Sequence, residues 1–170
     1  MKNISLISSV PSKLATPNDI SDKAKKEIPA VINPLVADSF ALFVKTKNFH
    51  WHMSGSHYRD YHLLLDEQAT QIFAMIDVLA ERVRKLGGIT IRSITDIQNL
   101  QKIKDDDDTF VKPQEMLKRL LHDNKVLESQ MRAAHKVCAN NNDVATTSIL
   151  EVYIDETERR IWFLYETISD

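Results

Sequence analysis

Apolar residues recur at helical spacing along four long stretches of the 170-residue chain. The first is INPLVADSFALFVKTKNFHW, where Asn33 can cap a helix and Pro34 suits its first turn, because the N–H that proline lacks would be unpaired there. The second stretch runs from about Tyr58 to Leu86, the third starts at Pro113, and the fourth runs from about Ala145 to Ile168. The pattern therefore predicts four long helices.

Glycines punctuate the chain between these helices. There are only three, and Gly55 separates the first two helical patterns while Gly87 and Gly88 close the second. A long crossover over residues 89–112 follows, in which SITDIQNL can form a short helix and KDDDD is more typical of a solvated loop than of a metal site. The prediction is an all-α, four-helix bundle with a short helix in the crossover between helices 2 and 3, the ferritin-like variety of bundle.

The N-terminal residues differ in composition from the rest. Residues 1–20 are rich in Ser, Thr, Asn and Pro and lack periodicity, which predicts a flexible tail before a bundle domain of residues 21–170. Residues 22–31 suit a short helix. The single cysteine, Cys138, excludes an internal disulfide and fits a cytoplasmic protein. No apolar run approaches about 20 residues, so no membrane partner is expected.

Four polar residues of the second helix form two pairs, each with a spacing of four, namely His62 with Asp66 and Asp77 with Glu81. At about 100° per residue they lie on one side of the helix. Imidazole and carboxylate groups so spaced suit a borderline metal such as iron or zinc. His62 and Glu81 lie roughly 28 Å apart along the axis, so the pairs can only be two half-sites.

His50 can complete the first half-site. It stands in NFHWHMSG, just before the Gly55 turn, and a tight turn makes the first two helices antiparallel neighbours. His50 and His62 then lie at similar heights near that turn. The second half-site, Asp77 and Glu81, has no histidine near it in the sequence.

A symmetry argument supplies the missing partner. The midpoint of positions 62 and 81 is also the midpoint of positions 66 and 77, between residues 71 and 72. Two copies of this helix crossing antiparallel on a two-fold axis there would bring His62 to the partner's Glu81, and Asp66 to the partner's Asp77. Each interface would hold two equivalent sites built from both chains.

Each candidate also has a simpler interpretation. Asp77 and Glu81 can be surface carboxylates that pair with Arg82, Arg84 or Lys85. The two pairs on the second helix, taken together with His50, favour a metal site over that alternative.

A structural role is the first interpretation for Trp51 and for the remaining histidines. His52 and His57 flank the turn without a matching carboxylate, and a structural role is favoured for both. His122 and His135, on the third helix without partners, are interpreted as structural. Trp51 continues the apolar repeat and is most simply a core aromatic, with electron donation beside His50 as its second possible role.

The motifs KNFHWHMSG, HLLLDEQ and DVLAERVRKLGG together resemble the Dps family, the miniferritins named as DNA-binding proteins from starved cells. The resemblance covers roughly residues 35–170. It implies a hollow dodecamer that oxidises Fe(II), preferentially with hydrogen peroxide, and stores Fe(III) mineral, with zinc or manganese as substitute metals. The family's ferroxidase ligands fall onto five residues, three from one chain and two from the other: His50, His62 and Asp66, then Asp77 and Glu81.

An intrachain di-iron site of the ordinary ferritin kind is not expected, because the chain contains no Glu-x-x-His motif. Two features depart from the family pattern. Pro34 falls where the family's first helix is often under way, so that helix is expected to start late or kink. The stretch before the last helix has Asp143 as its only acid, so iron uptake is expected to be weaker or to use Glu151 and Asp155.

Two other functions compete with the ferroxidase. One is a DNA-compacting structural protein with a secondary metal site, and the other a zinc- or manganese-binding protein without turnover. Through Glu27 the chain carries five lysines against three acids, a surplus of two charges per copy: Lys2, Lys13, Lys23, Lys25 and Lys26. Weak, salt-sensitive DNA binding and a non-binding solvated tail are rated equal, and nucleoid association would accompany the former.

Overall fold

Five α-helices account for most of the chain in the computed structural model, which describes residues 10–169. A 3₁₀ turn at Ser12–Leu14 precedes them, and the described residues contain no β-strand. The helices are α1 (Ala24–His52), α2 (Tyr58–Lys85), α3 (Ile94–Leu100), α4 (Pro113–Asn140) and α5 (Val144–Ile168). The all-α prediction with a short helix in the crossover is confirmed.

The long helices pack as two antiparallel pairs. Helix α1 pairs with α2, α4 pairs with α5, and α1 joins the pairs by contacting α4, while α3 lies against α1. The apolar stripes meet in one core, in which Leu42, Ile72, Leu120 and Leu164 are fully buried. The crossover helix begins at the cap residue Ser93, whose hydroxyl accepts a hydrogen bond from the backbone N–H of Asp96 at 3.2 Å.

The predicted start of the first helix is wrong. A single helix begins at Ala24 and continues through Pro29 and Pro34. Asn33 is not its cap, since the Asn33 amide donates to the carbonyl of Ile89 at 2.9 Å. Buried aliphatic side chains on both sides of the prolines hold the backbone helical, and their packing outweighs the roughly 3 kcal/mol that an interior proline costs.

Residues 10–20 lie against the C-terminal end of α2. The Thr16 hydroxyl donates to the carbonyl of Arg84 at 2.9 Å, and the Asn18 amide donates to the carbonyl of Lys85 at 3.2 Å. Residues 1–9, including Lys2, lie outside the described residues. The division into a flexible tail and a bundle domain stays a prediction.

One described helix, α1, is long and apolar enough to cross a membrane, although 61% of that stretch is buried inside the bundle. The central helix of a bundle meets the same criterion, because its whole circumference contacts other helices. Its burial therefore assigns α1 to the core.

Candidate metal centre

His50 and His62 hold each other in place beside the turn between α1 and α2. Gly55 provides the turn with a φ of +96°, a backbone conformation that favours glycine. Nδ1 of His50 lies 2.8 Å from the carbonyl oxygen of His62, and Nδ1 of His62 lies 2.9 Å from the carbonyl oxygen of His50. Their rings stack with centroids 3.7 Å apart.

This reciprocal bonding sets the chemistry of both rings. A carbonyl oxygen only accepts, so Nδ1 must carry the hydrogen in each imidazole. In its neutral form each ring then exposes the lone pair on Nε2, which is the arrangement found in metal-binding histidines. The structure therefore brings His50 and His62 together as a pair of nitrogen donors.

Asp66 lies beside this pair. Its Oδ1 is 3.9 Å from Nε2 of His50 and 2.5 Å from Nζ of Lys47. The hydrogen bond from Lys47, and then its charge, lower the pKa of Asp66, with smaller contributions from both histidines. The carboxylate is thus an anion next to two nitrogen donors, with a lysine in contact with one of its oxygens.

Asp77 and Glu81 lie toward the other end of α2, where both are exposed. Glu81 pairs with Lys85 at 3.1 Å, as the simpler interpretation of the sequence anticipated for one chain. Asp77 borders an apolar depression lined by Phe73 and Ile94. Within residues 10–169 of a single chain, no group of three or more His, Cys, Asp or Glu side chains could hold a metal ion.

The expectation that Trp51 packs in the core is wrong for the single chain. Trp51 is 65% exposed, and Val44, in the same predicted stripe, is 59% exposed. Neighbouring Phe49 and His50 point inward and are buried. Since each helical residue turns about 100° from the last, Trp51 faces away from the core.

Two neighbours of the histidine pair were missed in the sequence. Lys47 precedes His50 by three residues, and Tyr58 precedes His62 by four, so each shares a helix face with a histidine. The Tyr58 ring stacks on His62, with centroids 5.0 Å apart. Their spacing was the available signal, but aromatic and lysine residues at such spacings are too common to be singled out.

Three of the other four histidines have structural contacts, and the fourth, His122, is exposed. Nδ1 of His52 lies 2.8 Å from the carbonyl of Asn48, and the ring of His57 lies beside Tyr61. The interpretation of His135 as unpartnered is wrong, because its Nε2 lies 2.9 Å from Oε1 of Glu151 and links α4 to α5.

The acidic KDDDD run lies in a loop, as predicted, but it is not fully solvated. Arg119 contacts Asp106 at 2.9 Å and Asp108 at 2.7 Å, and these two carboxylates raise the pKa of its guanidinium. The Asp106 side chain is only 6% exposed. The run therefore anchors the crossover to α4.

Asp143 is also engaged. It caps α5 by accepting from the backbone N–H of Thr146 at 3.1 Å, and it contacts Arg82 of α2 at 2.6 Å. Only 2% of Asp143 is exposed. This single acid of the 140–148 stretch is a buried structural group in the chain.

Comparisons with known proteins identify the family of this fold. The ferritin-like domain model matches residues 30–170. A DNA protection during starvation protein from Helicobacter pylori is 26% identical over 134 residues, or 79% of this chain and 93% of the relative. An uncharacterized low temperature-induced protein from a Nostoc species is 30% identical over 151 residues, or 88% of this chain and 84% of the relative.

Among solved structures, DpsC from Streptomyces coelicolor superposes with a TM-score of 0.88 at 26% identity, covering 91% of each chain. The chain therefore belongs to the ferritin-like family and, within it, to the Dps proteins.

Proposed function

We propose that this Dps protein is a ferroxidase that oxidises Fe(II) with hydrogen peroxide and stores the Fe(III) product. The observation that carries the proposal is the reciprocal bonding of His50 and His62, which leaves two imidazole nitrogens free beside an ionised Asp66. Mixed nitrogen and carboxylate ligands suit iron. Structural packing alone would not require both rings to bare Nε2.

The site is completed by a second chain. Asp77 and Glu81 are too far along α2 to join His62 of the same chain, since 15 residues already span roughly 22 Å. The partner's Asp77 and the partner's Glu81 reach the histidine pair if two α2 helices cross on a two-fold axis between residues 71 and 72. Exposure of both carboxylates in the single chain leaves them accessible to that partner.

Each group has a role toward the substrate. The two Nε2 atoms and the Asp66 carboxylate bind Fe(II), and Lys47, which contacts Oδ1 of Asp66, competes with iron for this carboxylate. Two Fe(II) ions supply the two electrons that convert peroxide and two protons into two waters, so hydroxyl radical is not released. The hollow shell, a dodecamer by family resemblance, receives the mineral, and zinc or manganese would compete for the same ligands.

Iron oxidation tests the activity directly. We expect a rapid rise in Fe(III) absorbance when peroxide is added to the Fe(II)-loaded protein, and a slower rise with oxygen alone. His62→Ala and Asp77→Ala should each abolish the fast phase, while His52→Ala should retain it. Failure of the wild-type protein to oxidise Fe(II) faster than buffer would refute the ferroxidase and favour a metal-binding protein without turnover.

Mixed assemblies test the shared site. In an interface between a His62→Ala chain and an Asp77→Ala chain, one site carries both lesions and the other carries none. Random mixing of equal amounts makes about half of the interfaces mixed, so about a quarter of the sites should recover. A matched control mixes His62→Ala with Asp66→Ala, whose lesions fall in the same half-site, and should give no recovery. If the His62→Ala and Asp77→Ala mixture shows only the average activity of the two variants, as the control mixture should, the site lies within one chain.

Non-specific DNA binding is a second candidate function, favoured by the surplus of lysines in the N-terminal region. Two of these lysines have acidic neighbours, since Lys23 lies 3.8 Å from Glu27 and Lys25 lies 4.0 Å from Asp22. Many copies in one shell would multiply a weak interaction, and this binding would place the protein on the nucleoid. Plasmid mobility shifts should weaken as salt rises. Retention at high salt, or unchanged binding after removal of residues 1–20 and neutralisation of Lys23, Lys25 and Lys26, would contradict this mechanism.

A further inference from the structure

Three aromatic rings form a continuous column at the proposed ferroxidase site. Tyr58 begins α2 and stacks on His62, which lies one turn later on the same helix face, with ring centroids 5.0 Å apart and an interplanar angle of 26°. His62 also stacks on His50, at 3.7 Å and 20°. The column ends in a phenol that is 45% exposed.

This phenol has no assigned part in the ligand set described above. Stacking alone would be satisfied by any aromatic ring, because the contact joins ring faces and does not use the hydroxyl group. A phenol differs from a plain ring by an O–H group that can give up a hydrogen atom. The ring that carries this O–H group is stacked on His62, a proposed iron ligand.

We infer that Tyr58 is a redox-active residue that supplies the second electron to peroxide when the site holds only one Fe(II). This inference rests on the proposed ferroxidase function. It concerns a site that holds only one Fe(II). One Fe(II) provides one electron, but peroxide needs two to become water, so hydroxyl radical would be released without a second electron donor.

The electrons and atoms balance in two steps. Fe(II), hydrogen peroxide, the Tyr58 phenol and one proton give Fe(III), a Tyr58 phenoxyl radical and two waters. The second electron and one hydrogen atom come from the phenol, so the O–O bond breaks without releasing hydroxyl radical. A second Fe(II) and one proton then reduce the phenoxyl radical to the phenol, so that two Fe(II) are oxidised for each peroxide consumed.

Neighbouring aromatic residues are less well placed for this step. The ring of Tyr61 lies beside His57, at 5.5 Å, and not beside either proposed iron ligand. Trp51 adjoins His50 in sequence, but among the described residues its ring is not stacked on His50 or His62. Tyr61 therefore offers a matched control, a phenol on the same helix but outside the column.

Tyr58→Phe tests the inference, because it keeps the ring and removes only the hydroxyl group. Protein loaded with one Fe(II) per proposed site is mixed with peroxide, frozen, and measured by electron paramagnetic resonance. We expect a tyrosyl radical signal in the wild-type protein that narrows when tyrosine is ring-deuterated. The signal should persist in Tyr61→Phe and be lost in Tyr58→Phe, with a matching rise in hydroxyl radical captured by a spin trap.

Two results would overturn the inference: an undiminished tyrosyl signal in Tyr58→Phe, or the same yield of trapped radical in Tyr58→Phe as in wild type. Both measurements use variant protein that is first shown to oxidise Fe(II) with peroxide at the wild-type rate when each site holds two irons. A wild-type protein that oxidises no Fe(II) refutes the proposed function instead, and the inference falls with it. A tyrosyl signal lost equally in Tyr61→Phe would show that Tyr58 is not the specific donor.

Discussion

Replacing Asp143 tests whether the only acid before α5 serves iron uptake or holds the helices together. Its carboxylate caps α5 and pairs with Arg82, whose side chain is only 14% exposed. Asp143→Ala removes a helix cap, at about 1 kcal/mol, and leaves a mostly buried guanidinium without its counter-charge, which costs about 3–5 kcal/mol. The two effects share one carboxylate and are not additive, so we expect a total loss of about 3–5 kcal/mol.

Two further variants separate the contributions. Asp143→Asn keeps an acceptor oxygen for the Thr146 N–H but exchanges a charge-assisted bond for a neutral one, so it should cost about 1–2 kcal/mol. The double variant Arg82→Met/Asp143→Ala removes the unpaired guanidinium and should be more stable than Asp143→Ala alone.

Denaturant unfolding at one fixed protomer concentration measures these differences, since assembly makes stability concentration-dependent. Iron uptake by the folded Asp143→Asn protein is measured in parallel and should equal that of wild type. The structural account would be refuted if Asp143→Asn slowed iron uptake while leaving stability unchanged, because Asp143 would then act on iron and not on the helix packing.

Three further predictions follow from individual contacts. Gly88→Ala would place a Cβ 2.8 Å from Cγ of Pro29, so it should destabilise the fold by about 1–3 kcal/mol, as measured by thermal unfolding. Cys138 is buried and burial raises the pKa of its thiol to about 12, so native protein should resist thiol reagents at pH 8 and react only when denatured. Lys47→Met should tighten Co(II) binding in calorimetry, because Asp66 is freed. A raised Asp66 pKa in that variant, seen by NMR, would confirm that Lys47 lowers it.

The helices of this bundle follow from local signals wherever local and tertiary preferences agree. Pro113 begins α4, Ile168 ends α5, and the short crossover helix lies within SITDIQNL, each as the sequence predicts. Pro34 is the exception, since local chemistry favours a helix start there and the packing of α1 against three other helices overrides it. That packing depends on residues far away in sequence, so it could not be predicted from the stretch itself.

The sequence likewise predicts some features of the candidate site and not others. The adjacency of His50 and His62 follows from the Gly55 turn, but the reciprocal bonds between each ring and the other's carbonyl depend on the exact rotation of both helices. The prediction that Trp51 packs in the core is wrong because an apolar repeat marks a helix face without indicating what covers that face. The sharing of the site between chains stays a prediction.

The two ends of α2 differ in how far each is prepared for a metal before a second chain arrives. At one end the imidazoles are fixed by two hydrogen bonds and by stacking, so rearranging them would cost both bonds. At the other end Glu81 is held only by an exposed pair with Lys85, and such pairs contribute little to stability. The carboxylate side chains can therefore turn toward a site on the partner chain at a small cost in free energy. This asymmetry favours a nitrogen half-site formed by folding and a carboxylate half-site contributed by assembly.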